Sequence, residues 1–484
     1  MRTELSDQYT KAIFETFGNR LPATSDFCCY WFEKARQLIA DGKCKRAGLL
    51  ATTSSKQIGS RKAFERIKET GRIFFAISDR VWFDAGAAVR ICMVGFATPD
   101  DPDKPTLDGK EVVKINADIT AGLDTTGKRF LNANTKLCFM GTTKVGDFDI
   151  PHDQAIALLR AVNPHGKPNS DVVRPFRNGS DLVRDSSNRW IVDFGVATSI
   201  EAAALYEAPF KHIEEHVKPA RLENNDRWRR SHWWLLGRTL PDFREATANL
   251  PRYMGTPRVA KHRVFVWQDS PVLPDSKVIA IAFADDFHFG VLHSRIHEAW
   301  TLATCGWHGK GNDATYNPTE CYETFPFPNP TPAQENTIAT AAKGLNELRE
   351  RWLNPPEWTI EHILEFPGSA DGPWSRYVVN PDKSGIGTVR YPRLEPCDVD
   401  CAAKLKKRTL TNLYNERPAW LDLAHKKLDV AVAAAYGWPA DLSDERILER
   451  LLALNLERAA EEAKAQEATK RKSAQRDKAE HELI

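Results

Sequence analysis

Five basic side chains and no acidic one lie between Arg252 and Arg263, inside the segment PRYMGTPRVAKHRVFVW (residues 251–267). Arg252, Arg258, Lys261, His262 and Arg263 precede a β-branched and aromatic run, Val264-Phe265-Val266-Trp267. A basic loop fed into a strand suits a phosphate-reading surface, because Lys and Arg displace counterions from a nucleic-acid backbone. On local chemistry alone, a solvated loop before a core strand is the alternative. Downstream, WHGKGNDATY (residues 307–316) gathers His308, Lys310, Asn312, Asp313 and Tyr316. His308, Asn312 and Asp313 carry donors and acceptors able to reach base edges, while cations hold the backbone. The turn-forming chemistry of Gly309, Gly311 and Asn312 explains the same composition without any ligand.

Other constellations read differently. His293 and His297 stand one helical turn apart in LHSRIHEAW, with Arg295 between them. The residues that follow are Glu298-Ala299-Trp300-Thr301, so no HExxH zinc motif forms, and a DNA-facing or packing role is expected. Cys397 and Cys401 lack a second Cys or His pair at finger spacing and read as loop thiols. RLENNDRWRRSHWWLLGR (residues 221–238) interleaves three tryptophans with five arginines. Such a segment either stacks on bases or is an amphipathic helix with Trp inside and Arg in water. Asn354-Pro355-Pro356 is followed by Glu357 and ends a helical pattern, which prolines do for structural reasons alone. The single GxG, Gly385-Ile386-Gly387, lies in a turn-rich stretch.

Elements must position these groups. Residues 26–39 (DFCCYWFEKARQLI) have apolar spacing for a helix with Asp26 as N-cap. Residues 47–52 (AGLLAT) form a short apolar strand, 60–70 a second helix stopped by Gly71, and 72–77 and 87–97 two more strands. Helices alternating with buried strands predict a mainly parallel sheet with crossover connections. Pro99–Lys104 (PDDPDK) breaks the composition and suggests a boundary near 104. A β-rich, irregular region follows to about 330. A helix is expected over 332–352, a turn-rich insert over 367–396, and helices over 421–436 and 443–459 before a charged tail, 461–483, that frays or is disordered. This gives three domains: 1–104, 105–330 and 331–484. The 67 basic and 65 acidic residues nearly cancel, so any nucleic-acid surface is a local patch. Nine scattered cysteines and an N-terminus too polar for a signal peptide point to a reducing cytoplasm. No apolar run long enough to span a membrane occurs.

The order and wording of several blocks resemble MmeI-like adenine-specific DNA methyltransferases. DFCCYWFEKA (26–35), AGLLAT and DAGAAVRICMVGF (84–96) look like the back half of the methyltransferase domain. VRPFRNGSDL (173–182), LYEAPFKHIEEHVKP (205–219), the 251–267 segment and FGVLHSRIHEAW (289–300) are similar to the target-recognition region, and RERWLNPPEW (349–358) with residues 436–460 to the C-terminal extension. The resemblance implies a Rossmann-like α/β methyltransferase remnant, an α+β target-recognition domain and a helical extension. It also implies site-specific methylation of adenine N6 in double-stranded DNA, with S-adenosylmethionine as the methyl donor of the complete enzyme.

Two motifs that such chemistry requires are missing. A Gly-rich turn after a first strand cradles the cofactor, and an Asn/Asp-Pro-Pro-aromatic tetrapeptide holds the flipped adenine; neither occurs here. The resemblance places the tetrapeptide just before the segment similar to residues 2–20. Met1 therefore reads as an internal start, and the chain alone is expected to bind no cofactor, to be inactive, and to need an N-terminal methyltransferase half, fused or separate. The competing expectation is a non-enzymatic DNA-binding specificity module. Expected DNA contacts are Arg258, Lys261, His262, Arg263, Arg295, His308, Lys310, Asn312, Asp313 and Tyr316, with no catalytic or metal-binding residue.

Overall fold

A computed structural model of the chain describes residues 5–481 except 57, 85–86, 185 and 309–312. The chain divides into two compact units, Met1–Lys128 and Arg129–Ile484. Among the described residues, no helix is long and apolar enough to cross a membrane.

In the first unit, helix Phe27–Ala40 starts after Asp26, and helix Ile58–Thr70 follows strand Arg46–Thr52. Both helices pack Cys29, Phe32, Phe64 and Ile67 onto Ala76, Cys92, Val94 and Phe96 of a sheet. That sheet is not mainly parallel. Strand Arg72–Asp84 pairs antiparallel with Ala87–Ala97, which in turn pairs antiparallel with Arg46–Thr52. The two residues between the long strands leave no room for a crossover, so only a hairpin is possible. Arg46–Thr52 and Arg72–Asp84 therefore run parallel, joined by helix Ile58–Thr70, with the hairpin strand inserted between them. The first hairpin strand outlasts its expected end at 77 because Ser78 and Asp79 form a bulge instead of a turn. Asp79 accepts hydrogen bonds from Arg90 across the pair at 2.5–3.0 Å.

The acidic stretch near residue 100 is anchored to this unit rather than serving as a linker. Asp101 is buried and accepts two hydrogen bonds from Arg46, at 2.6 and 3.1 Å, and Arg72 donates to its carbonyl oxygen. Lys68 pairs with Asp124 still further along. The boundary accordingly falls after 128, not near 104.

In the second unit the regions 129–330 and 331–484 share one interior. Met254, Phe265, Ile279, Phe289 and Trp300 pack with Ile338, Leu345, Leu421, Leu428 and Val432. Helix Pro332–Leu353 begins with a capping box between Thr331 and Gln334. It lies so close to helix Asp286–His293 that a Cβ at Gly290 would come within 2.7 Å of Ile338. The expected turn-rich insert is a long hairpin, Thr359–Ser369 against Ile386–Pro396, in register for eleven residue pairs. Its Leu364, Phe366 and Val389, together with Trp374, complete a second core around Trp190, Ile191 and Phe176. Helix Ala419–Ala435 matches expectation, and the last helix, Asp444–His481, continues through the charged tail.

Candidate nucleic-acid interface

The basic segment is part strand and part loop. Arg252–Pro257 lies second in a four-stranded antiparallel sheet, between Val266–Asp269 and Val278–Ile281, with Cys138–Met140 at the far edge. The chain then leaves this sheet. Val259–Ala260 pairs with Asp313–Thr315, which pairs with Gly306–His308. The two loops singled out by composition are thus joined in one small sheet.

A cleft of about 520 Å³ opens beside that junction. One wall is helix Gly179–Val183 and Arg184, begun by a capping box between Asn178 and Asp181. The turn carrying Lys277 meets this helix so closely that a Cβ at Gly179 would stand 2.7 Å from the Lys277 carbonyl oxygen. Arg258 to His262 form the second wall, Asp313 and Thr315 the third, and Leu410 and Thr411 the fourth. Thr411 Oγ1 donates to the Val183 carbonyl at 3.0 Å and ties the fourth wall to the first. Arg184, Arg258 and Lys277 are exposed and make no side-chain hydrogen bond or ion pair with the described residues. The Arg258 backbone is held on both sides: its N–H donates to Lys277 O, and its carbonyl accepts from the Tyr316 N–H, each at 2.7 Å. A cation on so fixed a backbone presents charge at a defined place, with little ordering left to cost on binding.

The predicted contacts divide into several groups. Lys261 and His262 line the cleft, and both meet Asn415 Oδ1, Lys261 Nζ at 2.8 Å and His262 Nε2 at 2.9 Å. Asp313 lines it too. Arg263 turns inward: its guanidinium donates to Thr256 Oγ1, Pro257 O and Ala314 O and lies 5.1 Å over the Tyr316 ring. Tyr316 is fully buried and its hydroxyl meets His297 Nε2 at 3.1 Å, so it has no solvent-facing surface from which to touch DNA. Arg295 pairs with Asp444 of the last helix at 2.7 Å, away from the cleft lining. Lys310 and Asn312, and the side chain of His308, lie outside the described residues.

The histidine pair is structural. His293 Nε2 accepts from the Phe265 N–H at 3.0 Å and from Arg349 at 2.8 Å, while its Nδ1 meets Phe289 O. A ring nitrogen that accepts must be unprotonated, and burial beside Arg349 holds His293 well below the usual histidine range. Burial drops His297 to about 3. Among the described residues, no group of three metal-ligating side chains exists. Asn354 caps helix Pro332–Leu353, its amide donating to Glu350, and all nine cysteines are free thiols.

Arg184, Lys277 and Asn415 escape a sequence reading. Arg184 sits three residues past a recognisable cap motif and Lys277 in an ordinary turn. Asn415 offers no local signal at all, because it comes to the basic loop from more than 150 residues away.

Residues 160–329 match the family model of the MmeI target recognition domain. A comparison with curated proteins finds no match. Among solved structures, the chain is similar to one described as the type IIL restriction-modification enzyme MmeI in complex with DNA. The TM-score is 0.68 at 19% sequence identity, over 95% of this chain and 56% of that one. The chain therefore spans little more than half the length of the protein it matches, and at this identity the likeness is one of fold.

Proposed function

We propose that this MmeI-like chain, with its target recognition domain at residues 160–329, supplies the DNA-reading part of a site-specific adenine-N6 methyltransferase of a restriction-modification system. Double-stranded DNA is its partner. The observation that carries this reading is the cleft where the two loops join, with Arg184, Arg258 and Lys277 making no side-chain hydrogen bond or ion pair among the described residues. Cations left unpaired on a fixed frame suit phosphates, and Asp313 beside them suits a cytosine amino group. Lys261 and His262, steered by Asn415, extend the basic wall.

S-adenosylmethionine would supply the methyl group in the complete enzyme. The residues described here do not fit it. The junction between strand Arg46–Thr52 and helix Ile58–Thr70 reads TTSSKQ before the helix, without the glycines that let a backbone approach a cofactor. Gly385-Ile386-Gly387 instead belongs to a hairpin, where a Cβ at Gly387 would strike Val379 O at 2.5 Å. We therefore assign cofactor and catalytic loop to a methyltransferase half, fused or separate, that pairs with the first unit. Strand Arg46–Thr52, at the edge of its sheet among the described residues, supports that assignment, and nine free thiols support a reducing cytoplasm as the setting. The missing cradle equally favours a second reading, a DNA-binding specificity module that works without any methyltransferase.

Filter binding over a salt series tests the reading. Arg258→Ala and Lys261→Ala should each weaken binding to all sequences alike and lower the salt slope by about one. Arg263→Ala should destabilise the fold and leave the slope of the folded fraction unchanged. Salt-independent binding, or none, would overturn the DNA assignment.

A further inference from the structure

The tryptophan–arginine segment resolves into two different behaviours. Trp233 and Trp234 are buried, and so is Arg221, whose guanidinium donates to Lys144 O and Leu235 O. Trp228 is left out: 41% of its surface is exposed, on the short helix Arg227–Ser231. An exposed tryptophan is unremarkable by itself. This one lines a second cavity, about 650 Å³, that shares Arg258 and Thr315 with the cleft described above.

The ring is also held in place. Trp228 stacks on His232 at 4.9 Å and 14° between planes, and His232 in turn lies 5.5 Å from the buried Trp234. His232 is fixed by contacts of its Nδ1 with Ser231 Oγ at 2.9 Å and Trp228 O at 3.1 Å. Trp234 is pinned by its indole N–H donating to Thr198 O. This aromatic column roots an exposed ring in the core, with one face covered by His232. Arg238 and Arg258 stand on the cavity rim, both exposed and both without a side-chain partner among the described residues. Inside, Asn317 and Thr319 offer polar groups beside apolar Phe139, Leu240 and Ile279, and the carboxylates Asp242 and Glu323 also line the wall.

A pre-fixed aromatic face, two cations without a side-chain partner among the described residues and a cavity of mixed apolar and polar lining together match the chemistry of a nucleotide lifted from its stack: a flat π surface, a phosphate, and a base with apolar faces and polar edges. We propose that this cavity is a second DNA subsite in which Trp228 stacks on an unstacked base of the bound duplex, while Arg238 and Arg258 hold the adjoining phosphates. The proposal rests on the DNA-binding reading and adds to it a non-electrostatic contact.

The test uses the full chain and two short duplexes of the same random sequence, one fully paired and one with a single bulged base. A bulge has already lost its stacking, so the chain should prefer it, roughly tenfold. Trp228→Ala should erase that preference with the salt slope unchanged, Trp228→Phe should keep most of it, and Arg238→Ala should lower the salt slope on both duplexes. Circular dichroism and thermal melting check that the variants fold, which the exposure of Trp228 leads one to expect. Equal binding of the two duplexes by the natural chain, or a bulge preference that survives Trp228→Ala, would overturn the subsite while leaving the DNA reading intact. Failure of the natural chain to bind either duplex would overturn both.

Discussion

The two units differ in how completely each satisfies itself. The second encloses its largest side chains, with Trp190, Trp300 and Trp374 at most 2% exposed and long-range hairpins and helices closing over them. The first covers one face of its sheet with two helices and leaves the other open: Leu50, Phe75 and Met93 line a shallow groove beside Ala47 and Gly48. Leu50 is 46% exposed, and strand Arg46–Thr52 has, among the described residues, a neighbour on one side only. A sheet face and a strand edge in that state are built for company, whether a further chain segment or an unwanted aggregate. The contrast sets a closed interior in one unit against an open sheet face in the other.

Substitutions inside the two regions should break that contrast open. Trp300→Ala removes a fully buried indole from the main core of the second unit and should cost about 3–5 kcal/mol in denaturant unfolding. Leu50→Ser, on the open face of the first unit, should change stability by about 0.5 kcal/mol or less and reduce aggregation. A large loss from Leu50→Ser would mean that this face is already covered.

Acid should separate the units next. His293, His297 and His425 are all buried neutral, with His297 near 3 and His425 near 4. Around them stand Arg349, Arg263 and Arg417, with Asp422 opposing these cations beside His425. In the unfolded chain these rings titrate near 6.5, so below that pH the unfolded state binds more protons. Stability should be fully present above pH 6.5 and fall as the pH drops toward 4, by about 1.4 kcal/mol per pH unit for each ring involved. Asp429, pushed up to about 6 by burial, acts in the opposite sense between pH 4 and 6, as do Asp171, Glu298 and Glu323, which burial also raises; His152 and His212, lowered by burial, act with the three histidines. Melting curves between pH 7 and 5 should show the second unit weakening; a flat profile would remove the buried histidines from its stability.

The smallest effect is local. Amides of strand Arg46–Thr52 should exchange faster than those of Arg252–Pro257, which has a neighbour on both sides. Mass spectrometry of the two peptides reads this directly, and equal protection would contradict the open-edge account.

Regular amphipathic helices were legible in the chain, as at Phe27–Ala40 and Pro332–Leu353, because apolar spacing acts locally; Asp26 precedes the first of them without making a side-chain cap bond. The hairpin Thr359–Ser369 with Ile386–Pro396 was not. Pro367, Gly368 and Gly385 look like turn residues, yet Gly368 is needed because a Cβ there would stand 2.4 Å from Val389. Strand direction in the first unit failed for a related reason, since alternation of elements says nothing of a hairpin strand slipping between two parallel ones. At the candidate interface the basic segment and its partner loop were legible from composition, and the structure joins them. Which cations face inward was not: Arg221, Arg263 and Arg349 satisfy backbone carbonyls from distant segments, and a buried arginine reads from sequence like any surface one.

The most direct test of the account is reconstitution. Co-expression of this chain with a methyltransferase half bearing the Gly-rich turn and the Asn-Pro-Pro-aromatic tetrapeptide, followed by long-read detection of N6-methyladenine in host DNA, asks whether the recognition unit selects the site. The account predicts methylation at one defined short sequence, weakened by Arg258→Ala and absent without this chain. A soluble, cofactor-binding pair that marks no sequence would contradict it and leave the free-standing DNA-binding module as the better description.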